Sequence, residues 1–240
     1  MNKEIKDLEL VKSFLRENIG DKYAVVGISS GIDSSLVLKV LSSTIDKGKI
    51  KAIFMGDKFT KKEDYDDIIL LSENTGVNIE TINIENIFNS YKNTLNSNDK
   101  RIEGNIRSRI RANILYYHAN VLNGYVIGTT NRTEYLLGYY TKFGDGACDI
   151  EPIEKLYKTD VRNMAKYLNL PERIIKKRPS AGLWENQYDE DEMNMSYNEI
   201  DRILIDIFDK KIMIDNDKYK KIMDIYNRSE HKRKLPVSMR

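Results

Sequence analysis

The stretch Tyr23-Ala24-Val25-Val26-Gly27-Ile28-Ser29-Ser30-Gly31-Ile32-Asp33-Ser34-Ser35-Leu36-Val37-Leu38 decides the fold. Its apolar start reads as a buried strand. Small hydroxyl residues and a glycine follow as a tight turn, and Leu36, Val37, Val40 and Leu41 then recur at helical spacing. A strand, a turn of small residues and a helix N-terminus make a ready anion site, because the first-turn N–H groups lack partners and the helix dipole favours negative charge there. Ser29, Ser30, Ser34 and Ser35 add hydroxyl donors. With no lysine after the glycine, this is not G-x-x-x-x-G-K-[ST]. With only Gly27 and Gly31, it is not G-x-G-x-x-G either. The plainer reading is an ordinary βα turn in which Asp33 caps the helix.

Outward from this stretch, residues 3–19 carry Ile5, Leu8, Val11 (or Leu15) and Ile19 at helical spacing, and Gly20-Asp21 stops them. Further strands are expected at 49–55, 78–82 and 125–129. Helices are expected at 61–74, 84–95 and 104–122 and from Arg132, with 96–99 as a polar loop. Such alternation predicts an α/β, doubly wound, mostly parallel sheet with helices on both faces. Ligands of such sheets bind at strand carboxyl ends near a switch point, so the turns at 29–35 and 129–134 are expected to face one crevice. Beyond Tyr140 the pattern changes. Two polar, glycine-containing loops (141–149 and 178–187) flank a short helix at 159–168, and helices at 197–208 and 217–226 close the chain. We read one domain over 1–240 with a helical C-terminal extension.

The 240 residues suffice for one well-buried core. Lys+Arg 39 against Asp+Glu 37 is a near-balance that argues against a dedicated nucleic-acid or membrane-surface protein; the one concentrated basic run is His231-Lys232-Arg233-Lys234. A single cysteine, Cys148, allows no intrachain disulfide and no Cys-rich zinc site. The charged opening lacks an apolar h-region, and no apolar run approaches the ~18 residues of a membrane span, so a cytoplasmic protein is expected.

Gly128-Thr129-Thr130-Asn131-Arg132-Thr133-Glu134 is the second informative turn. Asn131 and Glu134 have the offset of a capping box. The functional alternative sets Glu134 across from Asp33, two carboxylates sharing a Mg²⁺ whose remaining ligands are water and phosphate.

The turn at 29–35 resembles the S-G-G-x-D-S pyrophosphate loop of ATP pyrophosphatases, with Ser30 in place of the first glycine. Residues 128–134, Leu137-Gly138-Tyr139-Tyr140-Thr141-Lys142-Phe143-Gly144-Asp145-Gly146, Pro152, Leu156-Tyr157-Lys158-Thr159 and Pro179-Ser180-Ala181-Gly182-Leu183-Trp184 closely resemble the NAD synthetase family. The resemblance implies an adenine nucleotide alpha-hydrolase-like fold and amidation of deamido-NAD: ATP adenylates the nicotinate carboxylate, ammonia attacks the acyl-adenylate, and AMP and pyrophosphate leave. It implies that Gly27, Ile28, Ser29, Ser30, Gly31, Ile32, Asp33, Ser34 and Ser35 hold the ATP phosphates, with Asp33 and Glu134 on Mg²⁺. Thr129, Lys158 and Ser180 match further ATP contacts. Arg109, Lys142, Asp149, His231 and Lys232 match deamido-NAD contacts, and Asp145 and Lys142 fall where catalysis is expected, Asp145 on ammonia.

Each residue has a plainer reading. Arg109, like Arg107 and Arg111, reads as a solvated helical arginine; Lys142 and Lys158 as surface lysines; Asp145 and Asp149 as turn formers; Ser180 as a cap; Trp184 as a loop anchor; His231 and Lys232 as a solvated tail. Family members that use glutamine carry a large glutaminase domain for which this chain has no room, so ammonia is the expected nitrogen source. The resemblance also implies a homodimer, for which the Ile106, Ile110, Ile114 and Val121 side of the long helix could serve. Both glycine-containing loops are expected to close over the acyl-adenylate. The alternatives are another ATP-pyrophosphatase amidotransferase, such as a GMP synthetase-like enzyme, and a non-catalytic ATP-binding module.

Overall fold

A computed structural model describes residues 2–179 and 189–239. Strands β1 (Tyr23–Ile28), β2 (Ile50–Gly56), β3 (Ile79–Asn83) and β4 (Gly124–Ile127) form one parallel sheet in the order β3-β2-β1-β4. In β1, Ala24, Val26 and Ile28 point to one face and Val25 to the other, and all are buried. This is why the strand reads as an unbroken apolar run. The first face carries α1 (Lys3–Ile19), α2 (Ile32–Ser42), α3 (Lys62–Thr75), α7 (Lys158–Tyr167) and α8 (Glu172–Lys176). The Val25 face carries α4 (Glu85–Leu95), through the fully buried Phe88, and α5 (Lys100–Leu122). The expected doubly wound sheet is present.

The chain winds from β1 outward through β2 to β3, then returns along α5 to place β4 on the other side of β1. Its direction therefore reverses between β1 and β4, and the loops after these two strands open into one crevice. After the crevice the chain comes back beside β4, where Ile150 forms a parallel bridge with Ile127. Strand β4 ends at Ile127, so Thr129 lies in the loop beyond the strand that its sequence suggested.

Helix α5 starts a turn before residue 104. Asp99, at the end of the expected polar loop, accepts from the N–H groups of Arg101 and Ile102 and caps it. Gly76 ends α3 in the left-handed region (φ 66), which only glycine adopts freely. Helices α6 (Arg132–Leu137), α9 (Asp189–Met193), α10 (Tyr197–Leu204) and α11 (Asp217–Arg228) build a second apolar cluster around Tyr197, Ile200, Leu204 and Ile222, and the charged α12 (Glu230–Arg233) follows outside it. The short helices α8, α9 and α12 have too few turns to show a period in sequence. Helix α10 passes directly into a π-helical turn, Ile205–Asp209.

Candidate active site

A cavity of about 880 Å³ lies over the carboxyl ends of β1, β2 and β4. It is lined by Gly27, Ile28, Ser29, Ser30, Gly31, Ile32, Asp33, Ser34, Thr129, Glu134, Asp145, Lys158 and Lys232 among others. Ser35, expected with them, is fully buried inside α2, and its hydroxyl donates to the Gly31 carbonyl at 2.8 Å. Position 35 falls on the inner side of the helix. The other serines shape the turn: Ser34 Oγ accepts from Ser29 N–H (3.1 Å), and Ser29 Oγ accepts from Gly31 N–H (3.3 Å). Ser30 adopts φ 60 and is buried, so this chain holds a side chain in the conformation that its motif normally gives to glycine.

The plainer reading of Asp33 fails. The N-cap of α2 is Gly31, with no side-chain cap, and Asp33 turns across the crevice instead. Its Oδ1 accepts from the Asn131 side-chain amide at 2.8 Å, and its Oδ2 lies 2.6 Å from Lys158 Nζ. Glu134 does both things its sequence allowed. It completes a capping box with Asn131, and its Oε1 receives Lys158 Nζ at 2.9 Å. The two carboxylates thus share one cation. Burial alone would depress the Lys158 ammonium, but Asp33 and Glu134 outweigh it and hold the group above the ordinary lysine value. Burial, reinforced by the Asp33 charge, overcomes the Lys158 ammonium and pushes Glu134 up to about 8.

Lys158 is buried rather than on the surface. The second apolar cluster holds it there. The Tyr197 ring lies 5.2 Å below Nζ, and the buried Asp201 accepts from Thr133 Oγ1 and from Thr159 N–H, tying α6 and α7 to α10. The C-terminal extension thereby fixes the crevice chemistry.

On the β2 side, Arg111 donates to the Met55 carbonyl and to Asp57 at 3.0 Å each. Arg107 is buried with its guanidinium 3.4 Å from the Phe88 ring centre and Nε 3.4 Å from Asp57. Only Arg109 of the three arginines stands exposed, because positions 107 and 111 share one face of α5 and 109 does not.

At the other end of the cavity Asp145 is anchored rather than free in a turn. Its Oδ1 accepts from Ser108 Oγ (2.6 Å) and Thr141 N–H (2.9 Å), while its own N–H donates to Ser108 Oγ (2.8 Å). Lys232 Nζ donates to the carbonyls of Gly138 and Tyr140, both at 2.6 Å, so the basic tail is docked. Lys142 Nζ donates to the His231 carbonyl, and Arg109 donates to the Lys142 carbonyl at 3.3 Å. Arg109, Lys142, His231 and Lys232 therefore gather at one rim. Asp149 stands apart from them, accepting from Val126 N–H (2.8 Å) and from Tyr116 OH (3.3 Å). Ser180 and Trp184 lie outside the described residues.

Several participants carried no signal in sequence. Ser108 is one serine in an arginine-rich helix, and Glu151 reads as a surface acid. Yet Glu151 is half-buried behind the second turn, where its carboxylate accepts from Thr130 N–H (2.8 Å) and Cys148 Sγ (3.0 Å). Burial pushes it up to about 7. Asp57 had a usable signal: it directly follows β2 at the carboxyl edge of the sheet.

Fold and site together define an α/β nucleotide-handling protein of the adenine nucleotide alpha-hydrolase-like class, with a serine-rich loop facing a carboxylate pair. The sequence pattern of NAD synthase matches residues 5–236, and the chain belongs to that family. It is similar to the NH(3)-dependent NAD(+) synthetase of Picrophilus torridus, with 63% identity over 95% of this chain and 92% of that one. Among solved structures it is similar to NMN synthetase from Francisella tularensis (34% identity, TM-score 0.89, covering 100% and 99% of the two chains). It is also similar to NH3-dependent NAD synthetase from Campylobacter jejuni (28% identity, TM-score 0.87, 100% of both chains).

Proposed function

We propose that this protein is an ammonia-dependent NAD synthetase, a ligase that amidates deamido-NAD at the expense of ATP. The carrying observation is the Asp33–Glu134 pair, gathered around one cation at the mouth of the serine-rich loop. A carboxylate resists attack by ammonia because oxide is a poor leaving group, and adenylation replaces oxide with AMP. The protein must then place two polyanions in line, neutralise them, and keep water from the acyl-adenylate. The α2 N-terminus and the hydroxyls of Ser29 and Ser34 suit the phosphates, and Lys158 adds a fixed positive charge beside them.

The donors fit Mg²⁺. Two carboxylates within reach of one cation match an ion that takes one or two protein carboxylates and completes its shell with water and phosphate. Mg²⁺ would neutralise phosphate charge there, with Asp33 and Glu134 as its protein ligands. At the far end, Asp145 is held to receive ammonia, and Arg109, Lys142, His231 and Lys232 form the rim for the dinucleotide. Asp149 enters this set by resemblance. Residues 1–240 act as one synthetase domain, cytoplasmic in setting.

The test is NAD formation from deamido-NAD, Mg-ATP and ammonium chloride, with glutamine in parallel. NAD from ammonium but not from glutamine is expected; no NAD from either overturns the reading. A second reading rests on the similarity to the Francisella NMN synthetase, namely amidation of nicotinate mononucleotide. Running that acid beside deamido-NAD separates the two.

We also propose a homodimer through the outer face of α4 and α5. The expected stripe divides: Ile110 is in the core, Ile106 and Ile114 pack partly against it, and Val121 is exposed. With Ile87, Tyr91 and Tyr117, this face offers an apolar groove of about 180 Å³. The mass in solution tests the dimer.

A further inference from the structure

The phosphate loop lacks the lysine that other phosphate loops carry. A lysine nevertheless reaches it from elsewhere in the chain. Lys177, just beyond α8, places Nζ 2.7 Å from Ser30 Oγ, at the left-handed turn of the loop. The same ammonium contacts Asp64 Oδ1 at 2.6 Å and Asp67 Oδ2 at 2.8 Å, both on α3. Arg173 Nε lies 2.8 Å from the other oxygen of Asp67 and its Nη2 4.0 Å from Asp66, so the carboxylates of α3 hold two cations between them. Lys177 lines the main cavity, and its side chain remains 32% exposed.

An ammonium has three donors, and these three acceptors use all of them. They are unequal. Bonds to the two carboxylates are charge-assisted, whereas the bond to Ser30 is to a neutral hydroxyl. Ser30 keeps a second partner, because its own hydroxyl donates to Asp64 Oδ1 at 3.1 Å. Releasing Lys177 therefore leaves Ser30 satisfied, while Asp64 and Asp67 go on holding the lysine stem at the loop.

We propose that Lys177 is a second phosphate-binding cation of this site, held against Ser30 until a phosphate oxygen takes the place of the serine hydroxyl. The proposal rests on the reading that the nucleotide phosphates sit at the loop 29–34. Lys158, at Asp33, and Lys177, at Ser30, then reach that loop from two different elements and together supply the charge that a loop lysine supplies elsewhere. The exchange also accounts for a serine at φ 60. The hydroxyl parks the lysine beside the site, away from the carboxylate pair.

The test is calorimetric titration of inorganic pyrophosphate with magnesium chloride into wild type, Lys177→Met and Ser30→Gly. Wild type is expected to bind one pyrophosphate, and Lys177→Met to bind it about tenfold more weakly while KM for deamido-NAD stays within about twofold. Ser30→Gly removes the neutral competitor at a backbone angle that suits glycine, and should bind as tightly as wild type or more tightly. Lys177→Met affinity within twofold of wild type overturns the proposal, as does Ser30→Gly weakening by fivefold or more. Should Lys177→Met lose its cooperative melt, the Ser30→Gly result decides alone. No binding to wild type would overturn the phosphate-site reading itself, and this proposal with it.

Discussion

The side-chain amide of Asn131 donates to Asp33 Oδ1 at 2.8 Å, and this single bond joins the loop after β1 to the loop after β4. Asn131 is fully buried, and its other amide atom caps α6 by accepting from Glu134 N–H at 3.0 Å. One side chain therefore sets both carboxylates. Asn131→Ala is expected to cost about 2 kcal/mol, combining a lost cap with a lost buried hydrogen bond. It should also lower kcat/KM for Mg-ATP more than for deamido-NAD. Thermal denaturation with steady-state kinetics checks both.

Lys158→Met leaves Asp33 and Glu134 facing each other without their cation. The expected loss is about 3–5 kcal/mol near pH 8, the scale for removing one partner of a buried ion pair. With the Lys158 ammonium gone, Glu134 keeps its proton to a still higher pH, so the loss should be smaller below pH 8 and grow above it. Denaturant melts at about pH 6 and about pH 9.5 check it; an equal loss at both would show that Lys158 does not set the Glu134 proton.

In wild type, burial raises Glu134 from the ordinary carboxylate value of 4.5 to about 8 and Glu151 to about 7. Each group binds more protons folded than unfolded between those limits. Their contribution is fully present below about 4.5 and is lost as pH rises through 7 and 8. Stability should therefore fall across this window, and Glu151→Gln should flatten its lower part. Glu151→Ala instead strands the Thr130 N–H and should cost about 1–3 kcal/mol at any pH. Urea midpoints across pH distinguish the variants.

Much of the fold was open to reading in sequence because β1 is buried on both faces and its neighbours alternate with amphipathic helices. The strands and the switch-point crevice follow from those periods. The site was legible where backbone geometry and motif coincide, as at Asn131–Glu134, whose capping box is present. What stayed hidden depends on tertiary approach. Nothing local tells a buried Lys158 from a solvated lysine, or a docked Lys232 from a tail, since the partners of each lie tens of residues away. Ser35 misled for the opposite reason: its residue type fits the motif, but its place on α2 turns the hydroxyl inward.

Ser108 is the residue whose removal best isolates ammonia handling. Its hydroxyl donates to Asp145 Oδ1 and accepts from Asp145 N–H, gripping both ends of that residue from a buried place on α5. Thr141 N–H saturates the same oxygen, so the orientation of the Asp145 carboxylate is set by two donors from two elements. Gly144 permits this approach, because a Cβ there would stand 2.3 Å from Ser108 Oγ. Ser108→Ala removes one donor to a charged group, which is worth about 1.5–3 kcal/mol in such bonds. If Asp145 receives ammonia, KM for ammonium should rise by about tenfold or more, while KM for ATP, whose proposed site is the loop 29–34, holds within about twofold. Ser108→Thr, which keeps the hydroxyl, should restore most of the difference. Equal rises in both constants would make Ser108 a scaffold residue and leave Asp145 without a demonstrated part in amidation.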